Sequence, residues 1–405
     1  MSTRESPPSP SHPPKKAPPA WLLVFITLSG TLGMHTFVPA LPEAAQELGT
    51  GVAAMQMTIS LYIAGLAAGQ LIYGPLSDAF GRRPILMAGL ALYTLAGLGA
   101  VFSTGVHALI GARMLQALGG AAGLVLGRAI VRDTTQAHDA VRRLAFLNLM
   151  IVLGPGLAPI IGGAMTEHLG WRSIFVLLAA LGALALACSA RFLPETGRPL
   201  GHLSTASLVR DYRKLLRSPV FLGFALGGGC ATTAIYGFLA AAPFIFVTQL
   251  HRPATELGFY LALLMVGMSV GNLVTGRLAR FVQVERLMMG GNAASLIGAG
   301  TLLAPVLLGH LAVMPVLASM FIFAIGAGAS SPAALTKAIS VDPERTGSAA
   351  GLYGFSQMAV GAICTSLVSL GGDPALAAGT VLTLTAIVAR VSFSIAIARG
   401  KKKQP

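Results

Sequence analysis

Twelve apolar runs, each long enough to cross a bilayer as a helix, leave this chain little else to fold with. They fall at roughly 20–42, 54–75, 84–103, 107–130, 144–166, 170–190, 219–249, 256–279, 286–308, 311–336, 346–370 and 374–398. At 1.5 Å per residue, a helix of about 20 residues spans a hydrocarbon core of about 30 Å. Only 10% of the 405 residues are charged, against about 25% in a soluble domain, whose surface has to be solvated. Composition therefore excludes a soluble domain. It also excludes a disordered or collagen-like chain, because the glycine and much of the proline lie inside apolar runs. The three cysteines, Cys188, Cys230 and Cys364, are far apart in apolar surroundings and read as small buried hydrophobes, not as a disulfide or metal framework. No metal site is expected.

The net charge of +14 would suggest nucleic acid in a soluble protein, but its placement argues otherwise. With an even number of spans both termini share one side, and all but four of the 28 Lys and Arg residues lie there. The exceptions are Arg172 and Arg252 on the opposite side and Arg113 and Arg390 within spans. By the positive-inside rule both termini are cytoplasmic. The spans divide into six-helix bundles at 20–190 and 219–398, joined by a basic cytoplasmic linker at 191–218. A proline-rich tail (1–19) precedes them and is expected to be disordered, and a basic cytoplasmic tail (399–405) follows. The expected architecture is an all-α membrane protein whose 12 transmembrane helices form two pseudo-symmetric six-helix bundles.

The halves echo each other. Gly74-Pro75-Leu76-Ser77-Asp78 after span 2 faces Gly276-Arg277-Leu278-Ala279-Arg280 after span 8, an offset of 276 − 74 = 202. A second, weaker match sets Gly127-Arg128-Ala129-Ile130 against Thr336-Lys337-Ala338-Ile339. Secondary transporters are built from such duplicated units around a midplane site.

Specific segments carry a family resemblance. Gly74 to Pro84, with Asp78, Gly81, Arg82 and Arg83, resembles the loop between helices 2 and 3 of the major facilitator superfamily, with Ala79 in place of the usual basic residue. The resemblance implies a cytoplasmic gate of Gly74, Asp78, Gly81, Arg82 and Arg83, with Asp133 as partner. Physically, the glycine would admit a close helix and the acid could cap a neighbouring helix N-terminus. Arg113-Met114-Leu115-Gln116-Ala117-Leu118-Gly119 is similar to the helix-4 motif of the drug:proton antiporters. An intramembrane arginine requires a cavity or partner, or else snorkels to the surface. Gly154-Pro155-Gly156-Leu157-Ala158-Pro159-Ile160-Ile161-Gly162-Gly163 resembles the antiporter motif of helix 5, and Gly154, Pro155, Pro159, Gly162 and Gly163 suit a hinge. Val38-Pro39-Ala40-Leu41-Pro42 and Gly170-Trp171-Arg172-Ser173-Ile174-Phe175 resemble the Bcr/CflA branch of bicyclomycin and chloramphenicol exporters. The likeness is strong over spans 1 to 6 and weak thereafter.

No Asp or Glu falls deep within a span. The branch that the chain resembles usually carries an acid at the position of His35, whose ordinary pKa of about 6.5 lets it titrate near neutrality. His35, Asp78 and Arg113 are therefore the proton-coupling candidates. Candidates for an apolar cavity with polar handles are Met57, Tyr62, Arg113, Gln116, Asn148, Tyr236, Phe238, Tyr353 and Gln357. Span 7, with Gly227-Gly228-Gly229 and Pro243, is expected to be interrupted.

No P-loop occurs, so no ATP or other cofactor is expected and a proton gradient would drive transport. Gly267-Met268-Ser269-Val270-Gly271 matches a hydrolase elbow only by letter, since it lies in an apolar helix without His or acid, and no enzyme is expected. The chain reads as a monomeric multi-pass exporter of the bacterial inner membrane, handling small hydrophobic neutral or anionic compounds. The alternative is a permease for a sugar, nucleoside or organic anion.

Overall fold

A computed structural model describes residues 18–134, 154, 156–197, 205–342 and 345–401, and the regular elements among them are all helical. Eleven helices among the described residues are long and apolar enough to span a membrane. The fifth run is represented by α6 (156–169); the earlier part of that run, with Asn148 and Pro155, lies outside the described residues, as does the tail at 1–17.

The first half comprises α1 (Ala20–Phe37), α2 (Leu41–Glu47), α3 (Val52–Phe80), α4 (Arg82–Val101), α5 (Val106–Thr134), α6 and α7 (Arg172–Phe192). A short helix, α8 (Thr205–Leu216), lies in the connection. The second half comprises α9 (Pro219–Thr232), α10 (Ile235–Pro243), α11 (Ala254–Leu278), α12 (Val284–Leu307), α13 (Val313–Ile339), α14 (Thr346–Ser369) and α15 (Pro374–Lys401). We call the end that carries Ala20 and Lys401 the terminal end and the opposite one the distal end.

The first span does not stop at residue 42. A single 3₁₀ turn, Val38–Ala40, leads into α2, with Pro39 and Pro42 each in the first turn of a helical segment, where a missing N–H costs nothing. Side chains such as Leu95, Phe102, Leu307, Leu308 and Val391 remain exposed, as a lipid-facing surface requires.

Each half is organised around a helix packed closely against three others. In the first, α5 meets α1, α3 and α4. Gly120 and Gly30 abut, Gly119 lies on the Gly89 carbonyl, and Gly65 lies on the Met114 carbonyl. Apolar packing gains little between helices already in lipid, so small residues that admit backbone contact hold the bundle. In the second half α13 plays the same part with α9, α11 and α12. Helices α4 and α12 begin 284 − 82 = 202 residues apart, the offset of the sequence repeat. Each half also clamps its third and fourth spans at the terminal end by an ion pair. Arg82 at the start of α4 pairs with Asp133 near the end of α5 at 2.9 Å, whereas Glu285 at the start of α12 pairs with Lys337 near the end of α13. The two clamps join the same pair of spans in each half, with the order of acid and base reversed.

α8 is docked on the second half by charge. Arg345 Nε donates to Asp211 at 2.8 Å, Arg345 Nη1 donates to Asp342 at 2.8 Å, and Lys214 lies 3.2 Å from Asp342. Arg345, and with it Lys214, hold the Asp342 carboxyl below its ordinary value of 3.8. A depressed carboxylate pKa stabilises the docked form above the unperturbed value and loses that contribution as pH falls through the lowered one. A spin label at exposed Leu216 should therefore stay immobile from neutral pH down to about 4 and become mobile only in stronger acid. Asp342→Asn should mobilise it at neutral pH. Mobilisation of the unsubstituted protein already near pH 6 would show that these contacts do not hold the helix.

Candidate functional site

Arg113 is wholly buried, so it does not snorkel to the membrane surface. Its Nη1 donates to the Gly33 carbonyl of α1 at 2.8 Å and to Gln116 Oε1 at 2.9 Å. The guanidinium carbon lies 3.9 Å from the centre of the Tyr62 ring, with Phe37 and Phe175 at 5.2 and 5.6 Å. Tyr62, itself buried, donates to the Gly30 carbonyl at 2.7 Å. Arg113 Nε and Nη2, Gln116 Nε2 and Tyr93 Oη are buried without a hydrogen-bond partner. Among the described residues no carboxylate serves this cation. Each described Asp and Glu lies in an end turn of a membrane helix, in α8 or outside the helices. Aromatic faces, the Gly33 carbonyl and the Gln116 amide oxygen stand in for a counter-ion, an arrangement that leaves donor capacity unspent.

His35 lies on the opposite face of α1 from Gly33. Its Nδ1 is 2.9 Å from the Thr31 carbonyl, and its ring meets Tyr236 of the second half edge-on, with centroids 6.3 Å apart. Hence α1 has the buried arginine of its own half on one side and α10 of the other half on the other. Gln56 Nε2 donates to the Ala240 carbonyl at 3.3 Å, and Ser369 Oγ lies 3.7 Å from Met57 Sδ. These contacts join the halves toward the distal end. Farther along, Gln70 lies against Gly354, so α3 and α14 run antiparallel in contact.

Span 7 is interrupted, between α9 and α10, and it ends in a π-helical turn, Phe244–Gln249, after Pro243. The break falls at Thr233 and Ala234, and α14 staples it. Gln357 Nε2 donates to Thr232 Oγ1 at 2.8 Å and to Tyr353 Oη at 3.3 Å, while Thr233 Oγ1 donates to the Gln357 carbonyl at 2.7 Å. Tyr353, Gln357 and Tyr236 thus gather at the break, with His35 facing it across the halves. Phe238 packs into the core beside Phe246, centroids 6.5 Å apart. The threonines were missed in the sequence because Ala-Thr-Thr-Ala carries no glycine or proline. The nearby Gly227-Gly228-Gly229 drew attention instead and proves to be helical.

The Gly74–Pro84 segment, the expected gate, is assembled within the first half. Arg82 Nη1 reaches Asp78 and Ser77 Oγ, both at 2.5 Å, and Arg83 Nη2 donates to the Ala190 carbonyl at 2.6 Å. The acid that caps α4 is not Asp78 but Glu195, which accepts from the backbone N–H of Arg82 at 2.9 Å and of Arg83 at 3.1 Å. Gly81 needs to be glycine, with φ +101°. A side chain at Gly74 would meet nothing within 4 Å, so no close helix explains it in this arrangement.

In the hinge motif, Gly162 lies on the Thr36 carbonyl of α1, and Gly163 lies on the Ala254 carbonyl of α11. A side-chain carbon at Gly258 of α11 would stand 2.7 Å from the Pro159 carbonyl oxygen, and one at Gly154 would stand 2.6 Å from Leu28. One face of α6 holds its own half and another meets the second half. At the distal end Trp171 Nε1 donates to Glu47 Oε2 at 2.6 Å, and Arg172 pairs with Glu47 and stacks on Trp171 at 4.2 Å. That Glu47 fastens the Gly-Trp-Arg segment to the end of span 1 was not legible, because the two are 124 positions apart.

The description Major Facilitator Superfamily belongs to the family model that matches residues 23–365. An uncharacterized MFS-type transporter of Bacillus subtilis, YdgK, is 29% identical over 92% of this chain and 94% of its own length. A bicyclomycin resistance protein homolog of Haemophilus influenzae is 27% identical over 85% and 89% respectively. A chloramphenicol resistance protein of Pseudomonas aeruginosa is 32% identical over 63% and 60%. Among solved structures, a D-xylose-proton symporter superposes with a TM-score of 0.69 at 16% identity, covering 91% of this chain and 96% of that one. A bacterial Spinster homologue in its inward-facing, occupied form gives 0.71 at 13%, covering 94% and 96%. At such identities the structures speak for the fold alone. With two bundles around a broken seventh span, and a match across most of its length, the chain belongs to the Major Facilitator Superfamily, a family of membrane transporters rather than enzymes.

Proposed function

We propose that this transporter is a proton-coupled exporter of small hydrophobic compounds, neutral or anionic, working by alternating access with both termini in the cytoplasm of the bacterial inner membrane. The observation that carries the reading is the composition of the interior among the described residues: one buried arginine, one buried histidine and no carboxylate at depth. A lipophilic cation would find no opposite charge there, and burying it unpaired is costly. An uncharged or anionic amphiphile meets aromatic and amide groups around Tyr236, Tyr353 and Gln357. The resistance proteins among its relatives support export as the direction. His35, on α1 and facing Tyr236, is the group we assign to proton coupling, since imidazole has the ordinary pKa nearest neutrality among the side chains gathered there.

The test is efflux from everted vesicles of a neutral phenicol and of a lipophilic cation, with and without a pH gradient. Gradient-dependent movement of the phenicol alone is expected. Movement of neither compound would favour the permease reading, which the symporter-like fold leaves available. His35→Ala should flatten the pH dependence of flux across about pH 5.5 to 8. An unaltered profile would remove His35 from the coupling.

A further inference from the structure

Four helices of the second half, α9, α12, α13 and α15, leave a groove between their terminal ends. Its volume is about 270 Å³, and its lining includes Ser218, Phe224, Glu285, Lys337, Ser340 and Ile397. The polar and apolar residues come from different parts of the helices. Ser218, Glu285 and Ser340 sit at the last or first positions, whereas Phe224 lies more than a turn into α9. Leu222 and Ile395, exposed at 41% and 46%, continue the lipid-facing surface of α9 and α15 beside the groove.

Its charge is also asymmetric. Lys337 pairs with Glu285, which engages one of the three donors of an ammonium, and the side chain remains partly exposed. Exposed Arg217, Arg286 and Arg399 each stand next in sequence to a lining residue, Ser218, Glu285 and Gly400. Glu285 is the one acid among the described lining residues and Asp342, already engaged by Arg345 and Lys214, adjoins lining Val341, so with Lys337 and three arginines the rim is net cationic. An anionic head above an apolar wall, at the end of a membrane bundle, matches the chemistry of a phospholipid.

We propose that this groove binds an anionic diacyl phospholipid, its phosphate near Lys337 and the rim arginines and its chains running down past Phe224, Leu222 and Ile395. Near a membrane surface each Lys or Arg contributes about 1 kcal/mol toward an anionic lipid, or about fivefold in affinity. The probe is phosphatidylglycerol against phosphatidylcholine of matched chains, added to the delipidated full-length protein in detergent and read by native mass spectrometry and thermal unfolding.

Phosphatidylglycerol should be retained in preference to phosphatidylcholine and should raise the unfolding temperature. Lys337→Gln and Arg217→Ala should each weaken that retention about fivefold. Ser340→Trp, at an exposed helix end where the fold tolerates it, should abolish the preference by filling the mouth. Equal retention of the two lipids, or undiminished phosphatidylglycerol binding in Ser340→Trp, would overturn the proposal. So would inorganic phosphate displacing the lipid at millimolar concentration, which would make the site one for free phosphate.

Discussion

Gly258→Leu should abolish transport without unfolding the protein. A side chain there meets the Pro159 carbonyl oxygen at 2.7 Å and the Ile160 Cα at 2.8 Å, both rigid backbone atoms of α6. Because α6 and α11 belong to opposite halves, neither bundle has to break to relieve the clash; the halves part at the distal end instead. Overpacking costs about 1–3 kcal/mol even for small additions, and each 1.4 kcal/mol displaces a two-state equilibrium about tenfold. The distal-closed arrangement should thus fall to a minor population. Spin labels at Thr104 and His310, exposed on distal loops of the two halves, should move apart while the melting temperature holds. Gly162→Leu is the contrast. It strikes the Thr36 carbonyl within the same half, so it should lower the melting temperature. An unchanged label distance with normal efflux in Gly258→Leu would show that α6 and α11 are not a moving contact.

Arg113→Met should separate stability from activity in the other direction. A buried cation without a counter-ion carries a desolvation penalty of several kcal/mol, so a hydrophobe of similar length should cost little stability. Methionine can retain the apolar contact with Tyr62 while removing the donors to Gly33 and Gln116. We expect the melting temperature to hold or rise, and proton-driven flux to fall at least tenfold, about 1.4 kcal/mol or more in the barrier. Arg113→Ala should lose both, since it also leaves a cavity. Arg113→Lys should recover little, because an ammonium has no planar face to stack on Tyr62. Destabilised Arg113→Met with intact flux would make the arginine structural.

The fold was legible because its physics is one-dimensional: apolar length sets the helices, and basic residues between them set the expected orientation. The ion pair of Arg82 with Asp133 was legible through the family resemblance of the Gly74–Pro84 segment, which implied Asp133 as the partner. What escaped was of two kinds. Thr232 and Thr233 mark the break in span 7 through hydrogen bonds from α14, which no local signal announces. Glu195 and Glu47 take their roles from helix termini more than a hundred residues away. Asp78 was given the cap that Glu195 provides because it stands nearer in the chain, and carboxylates choose partners in space.

The exchanged clamps have a consequence for the halves as partners. In an isologous contact each residue that approaches the symmetry axis meets its own equivalent. Two identical copies of the ancestral unit would set carboxylate against carboxylate and cation against cation wherever those helix ends converged. Here the fourth span of the first half ends on the clamp acid Asp133 where that of the second half ends on the clamp base Lys337, and Arg82 and Glu285 are reversed likewise on the third spans. The reversal would set cation against carboxylate wherever the two clamps approached each other, which two copies of one bundle could not do at their axis.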